Sequence, residues 1–347
     1  MADASGHASQ DAVDTFENLI GRKLDIDHYY HPWNDVFPDG REQWDFDNGR
    51  TPMISWAKTN TDEITSGADD DLIRTRAAAV AALGRPLFIR WFWEMDGTRN
   101  AGVSLSPAQY IAAWRHIHDL FEAAGATNVA WVWCPNAFNF DGGVAQQYYP
   151  GDDVVDWVCA DGYDWYPAVA GASDRSFADI FQPFYDWATT QTTKPIMVGE
   201  YGALESGTDH KANWLNGART ALETQFQKVA AVVYFNHIGL DPTAGIDWRV
   251  ETSPSATQAF AAMGQDPWFN PAPPPVEAVA QPAAVTPRAE VAAADAPDPA
   301  DPPPEVPEAP LALALPVSAV LVMGGVAWTR SRRRACGGFT SGPGSRH

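Results

Sequence analysis

The sequence predicts an α/β fold: a (β/α)8 TIM barrel lacking its first strand in this chain, followed by a disordered linker and a C-terminal transmembrane helix. Three observations predict it. Short apolar and β-branched runs alternate with helical patterns, which implies βα units on a parallel sheet. The alternation stops near residue 266, and a stretch of that length is the size of one such barrel. Two of the runs, "RPLFIRWFWE" and "KPIMVGE", place Glu94 and Glu200 where a strand stops. Barrel sites lie at the C-terminal ends of strands, so these two glutamates are expected to work as a pair.

Strands are expected at Lys23–Tyr29, Met53–Trp56, Leu87–Trp93, Val129–Trp133, Trp157–Gly162, Ile196–Glu200 and Ala230–Phe235. The clearest helix starts at Ser106, an N-cap, with Pro107 in its first turn. Tyr110, Ile111, Trp114, Ile117 and Phe121 then follow at helical spacing. Another helix is expected from Asp70 to Leu83, stopped by Gly84. Seven strands suit a doubly wound sheet, whereas a barrel missing one strand has two raw edges. The paired glutamates favour the barrel, so the first strand is expected upstream of this chain. The polar start "MADASGHASQDAV" also has no signal-peptide apolar region. We therefore expect the start to be internal to a longer natural protein; a transcript start mapped at or just before Met1 would remove that expectation.

The composition divides the chain into 1–266, the barrel; 267–308, a linker rich in Pro, Ala and acids; 309–328, an uncharged run; and 329–347, a basic tail. A helix over 309–328 is about 30 Å long, a bilayer core. Arg330, Arg332, Arg333 and Arg334 follow it, which predicts a cytoplasmic tail and a barrel on the extracellular face of the cell membrane. A wall-sorting signal has a similar layout. Its nearest pentapeptide here, Leu315-Pro316-Val317-Ser318-Ala319, lies inside the apolar run, so a membrane anchor is the expectation.

A net charge of -21 excludes nucleic acid as a partner, because its phosphates would be repelled. Fifteen Trp residues point to flat apolar partners such as sugar rings. The three cysteines have no metal-site spacing. Cys134 and Cys159 end successive strands and read equally as a disulfide or as two buried thiols.

"RWFWEMDG" resembles the acid/base motif of glycoside hydrolase family 26, the β-mannanase family, in the clan of retaining (β/α)8 glycosidases. That motif reads His-Glu-Met-Asn-Gly. "KPIMVGEYG" resembles the family's nucleophile strand, and "WVWCPN" and "YYPGDDVVDWVCADGYDWY" its fifth and sixth strands. The resemblance covers about Phe16 to Trp268. It implies Glu200 as nucleophile, Glu94 as proton donor and base, and Tyr163 as the residue that orients the nucleophile. The environment of Trp91, Trp93 and the anionic Glu200 is expected to keep Glu94 protonated. Arg90, two residues before Phe92 on the same strand face, is placed to steady a carboxylate at the strand's base.

Trp93 stands where the family has histidine, and Asp96 where it has asparagine. With Trp93 supplying one N–H donor and no acceptor, Asn136 is the candidate for the sugar contact near C2. His28 and Trp33, in "HYYHPWND", are candidates for the negative subsites; Trp165 and Trp248 are candidates for stacking on sugar rings. Neither cofactor nor metal is expected. The resemblance implies a monomer acting on polysaccharide as an endo-β-1,4-mannanase, and also admits mixed-linkage β-glucan and β-1,3-xylan. The rival reading is an inactive carbohydrate-binding protein on the cell surface.

Overall fold

The computed structural model describes residues 9–57, 59–97, 105–238 and 246–270. The expected transmembrane helix and basic tail, and all but 267–270 of the expected linker, lie outside the described residues. No helix among the described residues is long and apolar enough to cross a membrane.

The elements run α1 (Gln10–Ile20), β1 (Ile26–His31), α2 (Arg41–Asp47), β2 (Thr51–Trp56), α3 (Thr61–Thr65), α4 (Asp70–Leu83), β3 (Leu87–Trp91), α5 (Pro107–Ala123), β4 (Val129–Trp133), β5 (Trp157–Asp164), α6 (Phe177–Gln191), β6 (Ile196–Ala203), α7 (His210–Thr224), β7 (Val229–Tyr234) and α8 (Pro254–Gln265). The seven strands pair in chain order and every pair is parallel. The caps form as their chemistry requires. Ser106 and Gln109 exchange hydrogen bonds in a capping box, and Gly84 ends α4 in the left-handed conformation that favours glycine.

The sheet is curled, because Tyr30 on β1 hydrogen-bonds Glu200 on β6 and its ring lies 6.4 Å from Phe235, just past β7. Among the described residues β1 and β7 share no ladder. The helical layer is nevertheless continuous there. Phe16 of α1 packs 5.9 Å from Phe260 of α8, and Arg22 donates to the carbonyls of Gly264 and Phe269. The described architecture is thus a seven-stranded parallel TIM-like sheet, one strand fewer than a complete (β/α)8 ring.

Most apolar burial lies between sheet and helices, where Trp56, Ile89, Trp91, Tyr110, Trp114 and Phe121 are buried. The inside of the curl is filled by a smaller set: Met53, Val132, Cys134, Cys159 and Met197. Cys134 and Cys159 form a disulfide, which decides the alternative the sequence leaves open. Strand β3 ends two residues before the expected Trp93. Phe92 and Glu94 take φ values of 48° and 52°, left-handed backbone that breaks an extended strand.

Candidate active site

Strand alternation sets the floor of the cleft. His28 and Tyr30 share one face of β1, while Asp27, Tyr29 and His31 share the buried opposite face. Ser55 on β2, Arg90 on β3 and Asp161 on β5 are all fully buried beside them. Arg90 links these strands. Its Nη1 donates to both oxygens of Asp161, at 2.9 and 2.8 Å, and its Nε donates to Ser55 Oγ at 2.7 Å. Its Nη2 donates to Oε1 of Glu200 and lies 3.2 Å from His28 Nε2. A buried guanidinium with all its N–H groups engaged is a rigid template for carboxylates.

Glu200 is held from three sides. Tyr30 donates to Oε1 at 2.6 Å, Arg90 donates to the same oxygen, and Tyr163 donates to Oε2. Burial, and then the negative charge of Glu200, push both phenols well above the usual tyrosine range, so both remain donors. A bulge aims the carboxylate: Ala160 pairs with Val198 and Asp161 with Glu200, leaving Gly199 as the extra residue. A Cβ on Gly199 would lie 2.3 Å from Cys159 Sγ and 2.8 Å from both Cys134 Sγ and Asp161 Oδ1, so only glycine fits over the disulfide.

Glu94 reaches the same place from a strained turn. Its N–H donates to the Cys134 carbonyl at 2.8 Å, which ties the turn to the end of β4. Left-handed backbone at a non-glycine residue costs energy and recurs at functional sites. Carboxylate oxygens of Glu94, Asp161 and Glu200 lie within 4.8 Å of one another. Burial pushes the Asp161 carboxyl well above the usual range; Arg90 opposes this, while the charges of Glu200, Glu94 and Asp96 add to it.

Residues 70–194 match the glycosyl hydrolase family 26 profile. The chain is 35% identical over 265 residues to endoglucanase H of Acetivibrio thermocellus, covering 73% of this chain and 29% of that protein. The match to glycosyl hydrolase family 26 over residues 70–194 supports the resemblance carried by the sequence motifs. It is also 36% identical over 95 residues to β-1,3-xylanase TXYA of a Vibrio species, covering 26% of this chain and 18% of that one. It thus spans less than a third of the length of either relative. In fold it matches the catalytic domain of a Bacillus sp. JAMB-750 GH26 endo-β-1,4-mannanase, with a TM-score of 0.55 and 16% identity over 77% of this chain and 82% of that one.

Against the family 26 motif, the two departures occupy distinct places. Trp93 is half-buried, edge-on to Tyr30 at 5.1 Å, with its ring 5.4 Å from the Arg90 guanidinium carbon. The indole covers the Arg90–Glu200 pair. Asp96 accepts from the Asn136 N–H at 3.0 Å, Asn136 Nδ2 at 2.9 Å and Asn139 Nδ2 at 3.0 Å. Nδ2 of Asn136 is thereby turned to Asp96, and the pair braces the turn that carries Glu94.

Two expected sugar contacts, Trp33 and Trp248, need correction. Trp33 is 6% exposed and stacks on Trp56 at 4.1 Å, so it has no face left for a ring. Trp248 is 3% exposed and packs 4.6 Å from Tyr163 and 4.9 Å from Trp165, in the space that Gly202 leaves free. It buttresses the cleft wall. His28 turns Nε2 to Ser55 Oγ at 2.6 Å and to Arg90, so it belongs to the floor. Burial and Arg90 push its pKa well below the usual histidine range, which leaves the ring neutral. Trp165 is partly exposed beside Tyr163, as a stacking platform requires. Tyr30 is the residue that sequence reasoning missed. Its signal was the alternation on β1 that puts it on the face of His28.

Proposed function

We propose that this chain is a retaining, endo-acting β-glycoside hydrolase, with Glu200 as nucleophile and Glu94 as acid/base. The observation that carries the reading is the approach of the two carboxylates to within 4.8 Å, with Glu200 held by three donors. Retaining enzymes separate the pair by about 5–5.5 Å, and inverting enzymes by about 6.5–9.5 Å to admit a water. A Glu200 oxygen attacks the anomeric carbon as the glycosidic C–O bond breaks, and Glu94 gives its proton to the leaving oxygen. Water then attacks the glycosyl-enzyme, Glu94 takes its proton, and Glu200 leaves. Tyr30, Tyr163 and Arg90 hold the nucleophile in line, and Asp161 holds Arg90.

For substrate, the likeness to an endoglucanase over 265 residues favours β-glucan, and Trp93 in place of the mannanase-motif histidine weighs the same way. This moves the reading away from the mannan expected from the motifs. The outward-facing placement on a membrane, as a monomer, belongs to the same proposal and rests on the sequence alone.

The test is incubation of the protein with mixed-linkage β-glucan, linear mannan and β-1,3-xylan, following reducing ends and the anomer first released by NMR. Release from β-glucan with retained β configuration, abolished in Glu200→Ala, is the expected result. An inverted product would overturn the mechanism. Release from mannan alone would overturn the substrate. No release from any polymer by folded protein that still binds one would favour the carbohydrate-binding reading.

A further inference from the structure

Beside the cleft, two connections of the barrel bring a second polar group together. Asp164 ends β5, Asp174 lies in the loop that follows, and His210 opens α7. One carboxylate oxygen from each aspartate and one His210 ring nitrogen lie within 4.8 Å of one another. His210 Nδ1 donates to the Leu204 carbonyl at 2.9 Å, which fixes the ring and turns Nε2 toward the two aspartates. From Nε2 the distances are 3.2 Å to Asp174 Oδ1 and 3.8 Å to Asp164 Oδ2.

Asp164 supplies the second observation. It is 1% exposed, its Oδ1 accepts the Tyr166 N–H at 3.2 Å, and its Oδ2 is buried with no hydrogen-bond partner. A bare imidazole nitrogen facing two carboxylates is repulsive unless a cation stands between them. A proton on Nε2 serves Asp174 at 3.2 Å but leaves Asp164 Oδ2 buried and bare, because 3.8 Å is too long for a hydrogen bond. A metal ion serves all three. With bonds of 2.0–2.2 Å in tetrahedral array, ligand atoms stand about 3.4 Å apart, between the two observed distances.

We infer that Asp164, Asp174 and His210 form a binding site for a divalent first-row transition metal, Zn²⁺ first among them. One imidazole and two carboxylates fit that class, with a fourth position left for water. Ca²⁺ is disfavoured because it takes six or more oxygen ligands. The metal joins the loop carrying Trp165 to the start of α7 and fixes the strand end that carries Tyr163. Its role is to position the cleft wall; none of the three ligands touches Glu94 or Glu200 in the contacts described above.

The test uses the full chain, stripped with a chelator and dialysed, then titrated calorimetrically with Zn²⁺, Mn²⁺ and Ca²⁺, with thermal unfolding as the second readout. The expected result is one Zn²⁺ per chain and a raised Tm. Zn²⁺ affinity is expected to fall at least tenfold in Asp174→Asn, which alters a 58% exposed side chain and leaves folding intact, and in His210→Gln. Absence of saturable binding to the stripped wild type would overturn the site, as would binding and Tm shifts unchanged in both variants. Preference for Ca²⁺ would overturn the assignment of metal class. A His210 proton resonance that titrates unaltered by Zn²⁺ would mean that a proton, not a metal, bridges the aspartates.

Discussion

Tyr30 on β1 donates a 2.6 Å hydrogen bond to Oε1 of Glu200 on β6, on the far side of the curl. The contact joins the first described strand to the proposed nucleophile. A hydrogen bond to a charged group is worth about 1.5–3 kcal/mol, so Tyr30→Phe should lower kcat about 10- to 150-fold with KM little changed. Steady-state kinetics on the polymer that proves to be the substrate checks this. A kcat within twofold of wild type would remove Tyr30 from the positioning of Glu200.

Glu94→Ala should lower kcat on polysaccharide by about 10²–10⁴-fold, the usual contribution of general acid–base catalysis. Azide needs no general base, so with an activated aryl glycoside it should restore turnover in this variant and yield a β-glycosyl azide. In Glu200→Ala it should yield the α-azide, by direct attack on the opposite face. The configuration of each azide, read by NMR, tests the two roles separately.

Gly199→Ala should damage the site without touching substrate. The added methyl meets both sulfurs of the disulfide and Asp161 Oδ1 at 2.8 Å or less, and relief requires β6 to shift beneath Glu200. Overpacking of this kind costs about 1–3 kcal/mol of stability. Activity should fall by more than the folded fraction does, which circular dichroism beside kinetics will show.

The Cys134–Cys159 disulfide closes a short loop, with a sequence separation of 25. In the chain-entropy treatment such a crosslink contributes about 3.5 kcal/mol. Replacing both cysteines by alanine should lower the denaturation midpoint and raise m, because the uncrosslinked chain exposes more surface when unfolded. Urea unfolding with and without reductant provides the measurement; equal midpoints would show that the crosslink does not stabilise the fold.

His28 should make the fold acid-sensitive. Burial and the Arg90 charge lower its folded-state pKa well below 6.5, so as pH falls below 6.5 the unfolded chain takes up a proton that the folded chain refuses. Stability is therefore lost on acidification in that window, by up to about 1.4 kcal/mol per pH unit from this group. His28→Gln should flatten the fall of Tm between pH 6.5 and 5 relative to wild type. Parallel Tm profiles for the two proteins would refute it.

What the sequence by itself determined is local. Short apolar and β-branched runs bounded by turn residues marked seven strands, and all seven start or end within two residues of expectation at one end or both. The caps at Ser106 and Gly84 were equally legible, because each depends on neighbours within a turn; Glu94 lies just past the end of β3, whereas β6 runs on beyond Glu200 to Ala203. Tertiary structure decided the rest. Trp33 and Trp248 carry the same aromatic signal as Trp165, yet the packing of connections against the sheet buries the first two and leaves Trp165 partly exposed. Tyr30 meets Glu200 only because the sheet curls, and Cys134 meets Cys159 only because β4 and β5 pair in one register. Asp164 and Asp174 come from one connection and His210 from the next, so no spacing in the chain announces their meeting. Periodicity reports which face a residue takes; which partners reach that face is settled by curl, register and loop packing, and these are properties of the whole barrel.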